Sequence, residues 1–155
     1  MNIQSLSAIV LIALCSTAYA DEEQFRGMGT ANAAIQDFKQ LTTEGYLSNK
    51  AQVQRVDYND IYKLQKPLQI LGQDVVYLSV EYMDQYVGCC VNEGWGALLK
   101  KSAPLDAIQS YAKQHECSLK PFDAKQLDYY SLKINTSAKD EYYELSCRER
   151  DILYH

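Results

Sequence analysis

His115 and Cys117 are the residue types of a nucleophile–base pair, with a thiolate attacking and an imidazole taking its proton. Their spacing argues against that chemistry. Residues two apart on a helix point to opposite sides and do not touch, and a cysteine held in a disulfide has no thiolate to offer. His115 instead suits a helix end, where a protonated ring complements the dipole. The same cysteine belongs to a larger set, Cys89, Cys90, Cys117 and Cys147, which with His115 supplies metal-ligand atom types. Structural zinc sites draw paired ligands from one knuckle with two to four residues between them. Adjacent Cys89 and Cys90 do not give that geometry, so no metal and no cofactor is expected. A redox C-x-x-C pair is also missing from the sequence.

Carboxylates offer a third chemistry. Glu81, Asp84 and Glu93 bracket the vicinal cysteines, and two acids at a suitable separation hydrolyse glycosidic bonds. Nothing in their spacing fixes a separation, and acids near turns are usually solvated. The chain contains no G-x-S-x-G elbow, H-E-x-x-H or phosphate loop. Gly27-Met28-Gly29 lacks the third glycine of a dinucleotide fingerprint. No catalytic residue is assigned, and the expectation is a protein that is not an enzyme.

The most suggestive local feature is Asn92-Glu93-Gly94-Trp95-Gly96. A tryptophan between two glycines reads as a turn that presents a large apolar anchor, the way interface hot spots are built. The competing reading folds Trp95 back as core. On the first reading Tyr86, Glu93 and Trp95 form a protein-binding surface, with Glu93 steering a basic partner.

Compartment comes from the amino terminus. Met1 to Ala20 reads as a cleavable secretory signal, with an apolar stretch from Ala8 to Leu14 and a small-x-small end at Ala18-Tyr19-Ala20. A lipoprotein reading at Cys15 would place Leu14 where such signals want a small side chain. The apolar stretch is also short for a spanning helix, which needs about 20 apolar residues. A periplasmic or secreted location is expected, with residues 21–155 as a single domain and no membrane span after cleavage. Four cysteines in an exported chain then read as a disulfide framework. A bond between Cys89 and Cys90 would close a strained ring, so the expectation is that each reaches separately to Cys117 or Cys147. Which takes which is left open.

Composition narrows the partner. The 155 residues carry a formal charge of −5, and dispersed lysines do not make the clustered positive surface that nucleic acid requires. Thirteen tyrosines stand against three phenylalanines. Tyrosine fills strand positions readily, and its polar tip also suits a half-wet binding face. Asn135-Thr136-Ser137 fits the glycosylation pattern, which matters only in a eukaryotic secretory path.

These residues must be positioned by a modest set of elements. Ala31, Ala34, Ile35, Phe38 and Leu41 fall on one stripe and predict a helix over 30–43, ended by Gly45. Ile61, Leu64, Leu68 and Leu71 have helical spacing, so a short helix ending near Lys66 is expected, cut off by Pro67. Alternation from Val76 to Tyr82 predicts a strand with one buried face. Met83-Asp84-Gln85 then turns the chain into a second strand over Tyr86–Asn92, and Ala97–Lys101 makes a third. Ser102 is the expected N-cap of a helix carrying Leu105, Ile108, Tyr111, Ala112 and His115 on one face and stopping before Cys117. A hairpin pairing Tyr129–Asn135 with Glu141–Arg148 completes the chain. The fold class is therefore α+β, an antiparallel sheet of about five strands with helices mainly on one face, stabilised by disulfides. Size, compartment and a cross-linked scaffold point to a small protein-binding domain, an inhibitor or immunity protein against an envelope-directed toxin or hydrolase. A carbohydrate or small-ligand binder and an acid-dependent hydrolase are the alternatives.

Overall fold

The computed structural model describes residues 38–56, 58–82, 94–123, 128–130, 132–133 and 139–148. The signal segment, Tyr86, Cys89, Cys90, Asp84, Glu93, the expected strand over Tyr86–Asn92 and the Asn135 sequon lie outside them.

The first described element is α1, the helix over 38–43. Gly45 stands at φ +77°, and the Tyr46 N–H donates to the Leu41 carbonyl at 2.8 Å. That six-to-one bond across a left-handed glycine closes a helix end, as the sequence predicts for Gly45. The strands follow in chain order: β1 (Val53–Val56), β2 (Asn59–Lys63), β3 (Gln69–Ile70), β4 (Gln73–Glu81) and β5 (Gly94–Lys100). Helix α2 (Asp106–Gln114) leads into β6 (Ser118–Phe122), β7 (Asp128–Tyr129), β8 (Leu132–Lys133) and β9 (Tyr142–Arg148). All pairings are antiparallel. Seven strands form one sheet in the order β1-β2-β4-β5-β9-β6, with β3 also on β4, and β7-β8 form a separate ribbon. The chain is thus α+β with an antiparallel sheet of seven strands rather than about five.

Register explains where the side chains go. Val80, Trp95 and Cys147 form one cross-strand row, and Leu78, Ala97, Leu145 and Leu119 form the next. These rows share a core cluster with Phe38 and Leu41 of α1 and with Ile108, Tyr111 and Ala112 of α2. The opposite face carries Ile61, Tyr77 and Leu98, packed with Tyr129 of the ribbon and with Tyr142. A bulge at Val76 switches the alternation, because Val75 faces Leu99 while Tyr77 faces Leu98. Every residue from Tyr77 to Glu81 is buried. The expected single buried face of this strand is therefore corrected to two, because β4 is central and has neighbours above and below.

Three other expectations change. The short helix expected to end near Lys66 is instead β2, with β3 following Pro67. Their apolar spacing does not mark one face, since Ile61 belongs to the Tyr77 cluster and Leu68 to the Trp95 cluster. Pairing of Asp60 with Val80 and Tyr62 with Leu78 settles the matter. The final hairpin also fails to form as expected. Residues Tyr142–Arg148 pair with β5 on one side and β6 on the other, while Tyr129 pairs with Leu132. Seven ladder positions on β5 outweigh a short local hairpin. Ser102, finally, is not the N-cap. Leu105 occupies that position without a side-chain cap bond, and the Ser102 hydroxyl donates to Asp74 Oδ2 at 2.6 Å.

Helix α2 ends before Cys117, as its face pattern predicts. His115 caps it, and the Cys117 N–H donates to the Ala112 carbonyl at 2.8 Å across Glu116, whose φ is +55°. This turn brings Cys117 onto the sheet, where it is bonded to Cys147. The expected links from Cys89 and Cys90 to these two cysteines are thereby overturned, since each already has the other as partner. Adjacent cysteines read as the natural branch point, but the helix turn and the β6–β9 pairing bring the two distant ones together.

A non-reducing peptide map of the purified protein should join the peptides holding Cys117 and Cys147, and neither should be linked to the Cys89-Cys90 peptide. Removing the bond as Cys117→Ala with Cys147→Ala should lower unfolding free energy by about 3 to 4 kcal/mol for a 30-residue separation. Denaturant titration measures the change.

Candidate functional site

The expected anchor is the first residue the fold reassigns. Gly94-Trp95-Gly96 is not a turn but the start of β5, and Trp95 is 2% exposed within the main core cluster. Strand alternation sends its indole to one face and the two glycines' missing side chains to the other. Tyr86 and Glu93, its expected companions, lie outside the described residues.

The space those glycines vacate is filled by Arg148. Along one register row, Asn59 faces Glu81, Glu81 faces Gly94 and Gly94 faces Arg148. The next row runs Ile61, Ser79, Gly96, Ser146 and Ser118. The Arg148 side chain lies across β5 and reaches β4 and β2. Its Nε is 3.0 Å from Glu81 Oε2. Its Nη1 donates to Ser146 Oγ at 2.6 Å, and its Nη2 to Ser79 Oγ at 2.7 Å and Asn59 Oδ1 at 3.1 Å. A Cβ at position 96 would stand 2.7 Å from Nη1, so glycine is required there by the guanidinium. Gly94 has φ +143°, and a Cβ on it would meet the Cys147 carbonyl oxygen.

This cluster has the atom types of an active site but not its access. Arg148 is 1% exposed and Glu81 3%. Charges taken that far from water persist only when paired and hydrogen-bonded. Tyr129 closes the top, its hydroxyl 3.2 Å from Ser79 Oγ and its ring stacked on Tyr77. Glu81, one of the three acids considered for hydrolysis, is thus committed to a buried structural pair. A sequence signal for the network exists in hindsight: polar or glycine residues recur two apart at Ser79/Glu81, Gly94/Gly96 and Ser146/Arg148. It becomes readable only once the strands are placed side by side.

His115 and Cys117 do not meet as nucleophile and base. The His115 ring packs 4.4 Å from the Tyr111 ring, and Cys117 is oxidised. Among the described residues, no three of His, Cys, Asp and Glu gather as a metal-binding set. Half of the ten described tyrosines, Tyr46, Tyr77, Tyr111, Tyr129 and Tyr142, are buried, and Tyr58 is exposed.

What stays open to a partner is concave surface. A groove of about 590 Å³ runs between α2 and β6, with Leu105, Ala112, Leu119 and Tyr143 as its apolar parts, Gln109 and Lys113 along the helix and Glu116 in the turn after it. Among the described strands β6 pairs with β9 alone and is an edge of the sheet. Pro121 fits there because an edge position can dispense with one N–H. Sequence reasoning missed this groove because β6 has no alternating apolar signature; only Leu119 and Phe122 mark it. Comparison with known proteins finds no correspondence, whether to a protein-family model, a curated protein or a solved structure.

Arg148→Ala should destabilise the fold by about 3 to 5 kcal/mol, because it removes one partner of a buried ion pair. Gly96→Ala should destabilise too, although alanine is intrinsically the better strand residue. The double replacement Glu81→Leu with Arg148→Met should be less costly than Arg148→Ala alone. Urea midpoints that do not move for Gly96→Ala would contradict the packing described.

Burial holds the Tyr129 phenol far above its ordinary value, against an opposing pull from Arg148. In the unfolded chain it ionises near pH 10. The folded state binds this proton more tightly, so its contribution is complete below about pH 10 and is lost as pH rises beyond it. Tyr129→Phe should therefore flatten the alkaline decline in stability, as read from melting temperatures across that range.

Proposed function

We propose that this chain is an exported domain that acts by binding another protein, as an inhibitor or immunity protein against an envelope-directed toxin or hydrolase. The observation that carries the reading is the α2–β6 groove, an edge strand beside an apolar floor. Such an edge accepts an extended segment as an added strand: main-chain bonds supply affinity and side-chain pockets supply specificity. In this reading α1 and α2 both cover the Trp95 face, and the open edge is the surface they leave. Residues Ser118–Lys120 pair with the partner, Leu119 and Tyr143 receive its apolar side chains, and Pro121 ends the register.

Two further features support it. The Cys117–Cys147 bond joins the start of β6 to β9, so the edge is held before the partner arrives and little ordering is lost on binding. That bond is also in keeping with the oxidising compartment that the Met1–Ala20 segment predicts. A formal charge of −5 favours a basic partner, drawn in by long-range attraction.

The mature chain should inhibit a secreted toxin or hydrolase encoded beside it, with one-to-one stoichiometry. Amides of Ser118–Lys120 should gain protection from hydrogen exchange in the complex. Gln109→Trp, at an exposed helix position on the groove's rim, should weaken binding by about tenfold or more with an unchanged melting temperature. Full affinity in that folded variant would remove the groove from the proposal, and absence of inhibition would remove the function.

A further inference from the structure

A second concavity lies where α1 meets β2 and the end of β4. Its volume is about 510 Å³, within the range of small-molecule sites. Three aromatic side chains line it, Phe38, Tyr62 and Tyr82, with Lys39, Thr43 and Asn49 also on its walls. The rings are fixed rather than loose. Phe38 and Tyr62 meet edge to face at 5.3 Å between centroids, and the Tyr82 hydroxyl donates to Asp60 Oδ2 at 2.8 Å.

We propose that this cavity binds a neutral saccharide of one or two pyranose rings. A pyranose presents a face of C–H bonds, which packs on an aromatic ring, and an equatorial rim of hydroxyls that need donors and acceptors. Lys39 and Asn49 supply donors. The Thr43 hydroxyl donates back to the Lys39 carbonyl at 2.9 Å, so its oxygen serves the cavity as an acceptor. Charge excludes the neighbouring ligand classes. Three aromatic rings near a carboxylate would also suit an organic cation, but the Lys39 ammonium opposes one. Against an anion stands the buried Asp60 carboxylate, one hydrogen bond behind the Tyr82 hydroxyl on the cavity wall. Burial, and after it the Asp60 carboxylate, hold the Tyr62 phenol above its ordinary value, so it stays a neutral hydroxyl. A purely apolar ligand would strip water from Lys39 and Asn49 without replacing it. A polar, uncharged molecule with one apolar face is what remains. This site is separate from the α2–β6 groove and does not depend on the protein-binding reading.

The test uses the full mature chain with maltose and diacetylchitobiose as probes, and choline as the charged comparison. Ligand-observed saturation-transfer NMR and calorimetry should detect a sugar binding at millimolar concentration or below, and should not detect choline. Tyr62→Ala should weaken the sugar by about tenfold or more through the lost stacking surface. Because Tyr62 also touches the core, Asn49→Ala provides a second reading at an exposed position, with an expected loss of about threefold to tenfold from one hydrogen bond. Neither sugar binding at millimolar concentration overturns the proposal. So does choline binding in their place, or a sugar affinity that survives Asn49→Ala and a folded Tyr62→Ala unchanged.

Discussion

A guanidinium buried to 1% exposure must find its partners inside the protein, and Arg148 finds them on three other residues of two more strands and on its own neighbour Ser146. Glu81, Ser79 and Asn59 come from β4 and β2, which reach Arg148 only across β5. The network therefore ties three strands, β2, β4 and β9, together across the fourth, β5. A shift of β5 by one residue would place Trp95 where Gly96 stands, and the guanidinium could not pass. Apolar rows alone would tolerate several registers; a single set of donors and acceptors does not.

The same constraint divides the two faces. On one, Trp95 and the aliphatic rows pack with residues of α1 and α2. On the other, tyrosines surround the polar network and the β7-β8 ribbon brings Tyr129 over Ser79. Tyrosine serves here for a physical reason. Its ring fills a core, and its hydroxyl can end a chain of hydrogen bonds that a phenylalanine would leave open. Half of the described tyrosines serve the interior in this way.

Among the described residues the centre of the sheet is closed, and the two concave surfaces lie away from the Arg148 network. The α2–β6 groove lies at one end of the strand order and the aromatic cavity where α1 meets β2 and the end of β4. The disulfide stiffens the first by tying the strand after α2 to β9. The Asp60–Tyr82 hydrogen bond and the Phe38–Tyr62 contact stiffen the second. Both are surfaces that the rigid centre presents rather than sites built into it.

The sequence by itself determined the features set by short-range chemistry. The end of α1 at Gly45 follows from its tolerance of positive φ, the stop of α2 before Cys117 from the apolar stripe, and the existence of a strand over most of 76–82, though not its two-sided burial, from the alternating texture. It also carried the antiparallel α+β class. Tertiary structure decided everything that depends on neighbours across the sheet. Ile61 to Leu71 has helical spacing, yet it forms strands because β4 offers a ladder. Gly94-Trp95-Gly96 has turn composition, yet it is a central strand in which Gly96 leaves room for the Arg148 guanidinium and Gly94 lets the β9 backbone approach. Cys117 found Cys147 rather than Cys89 or Cys90 because helix end and strand pairing set the distance. Local pattern reports backbone preference and one-sided burial. It cannot report which distant residue will stand opposite, and in this protein that pairing decides both the core and the surfaces left for function.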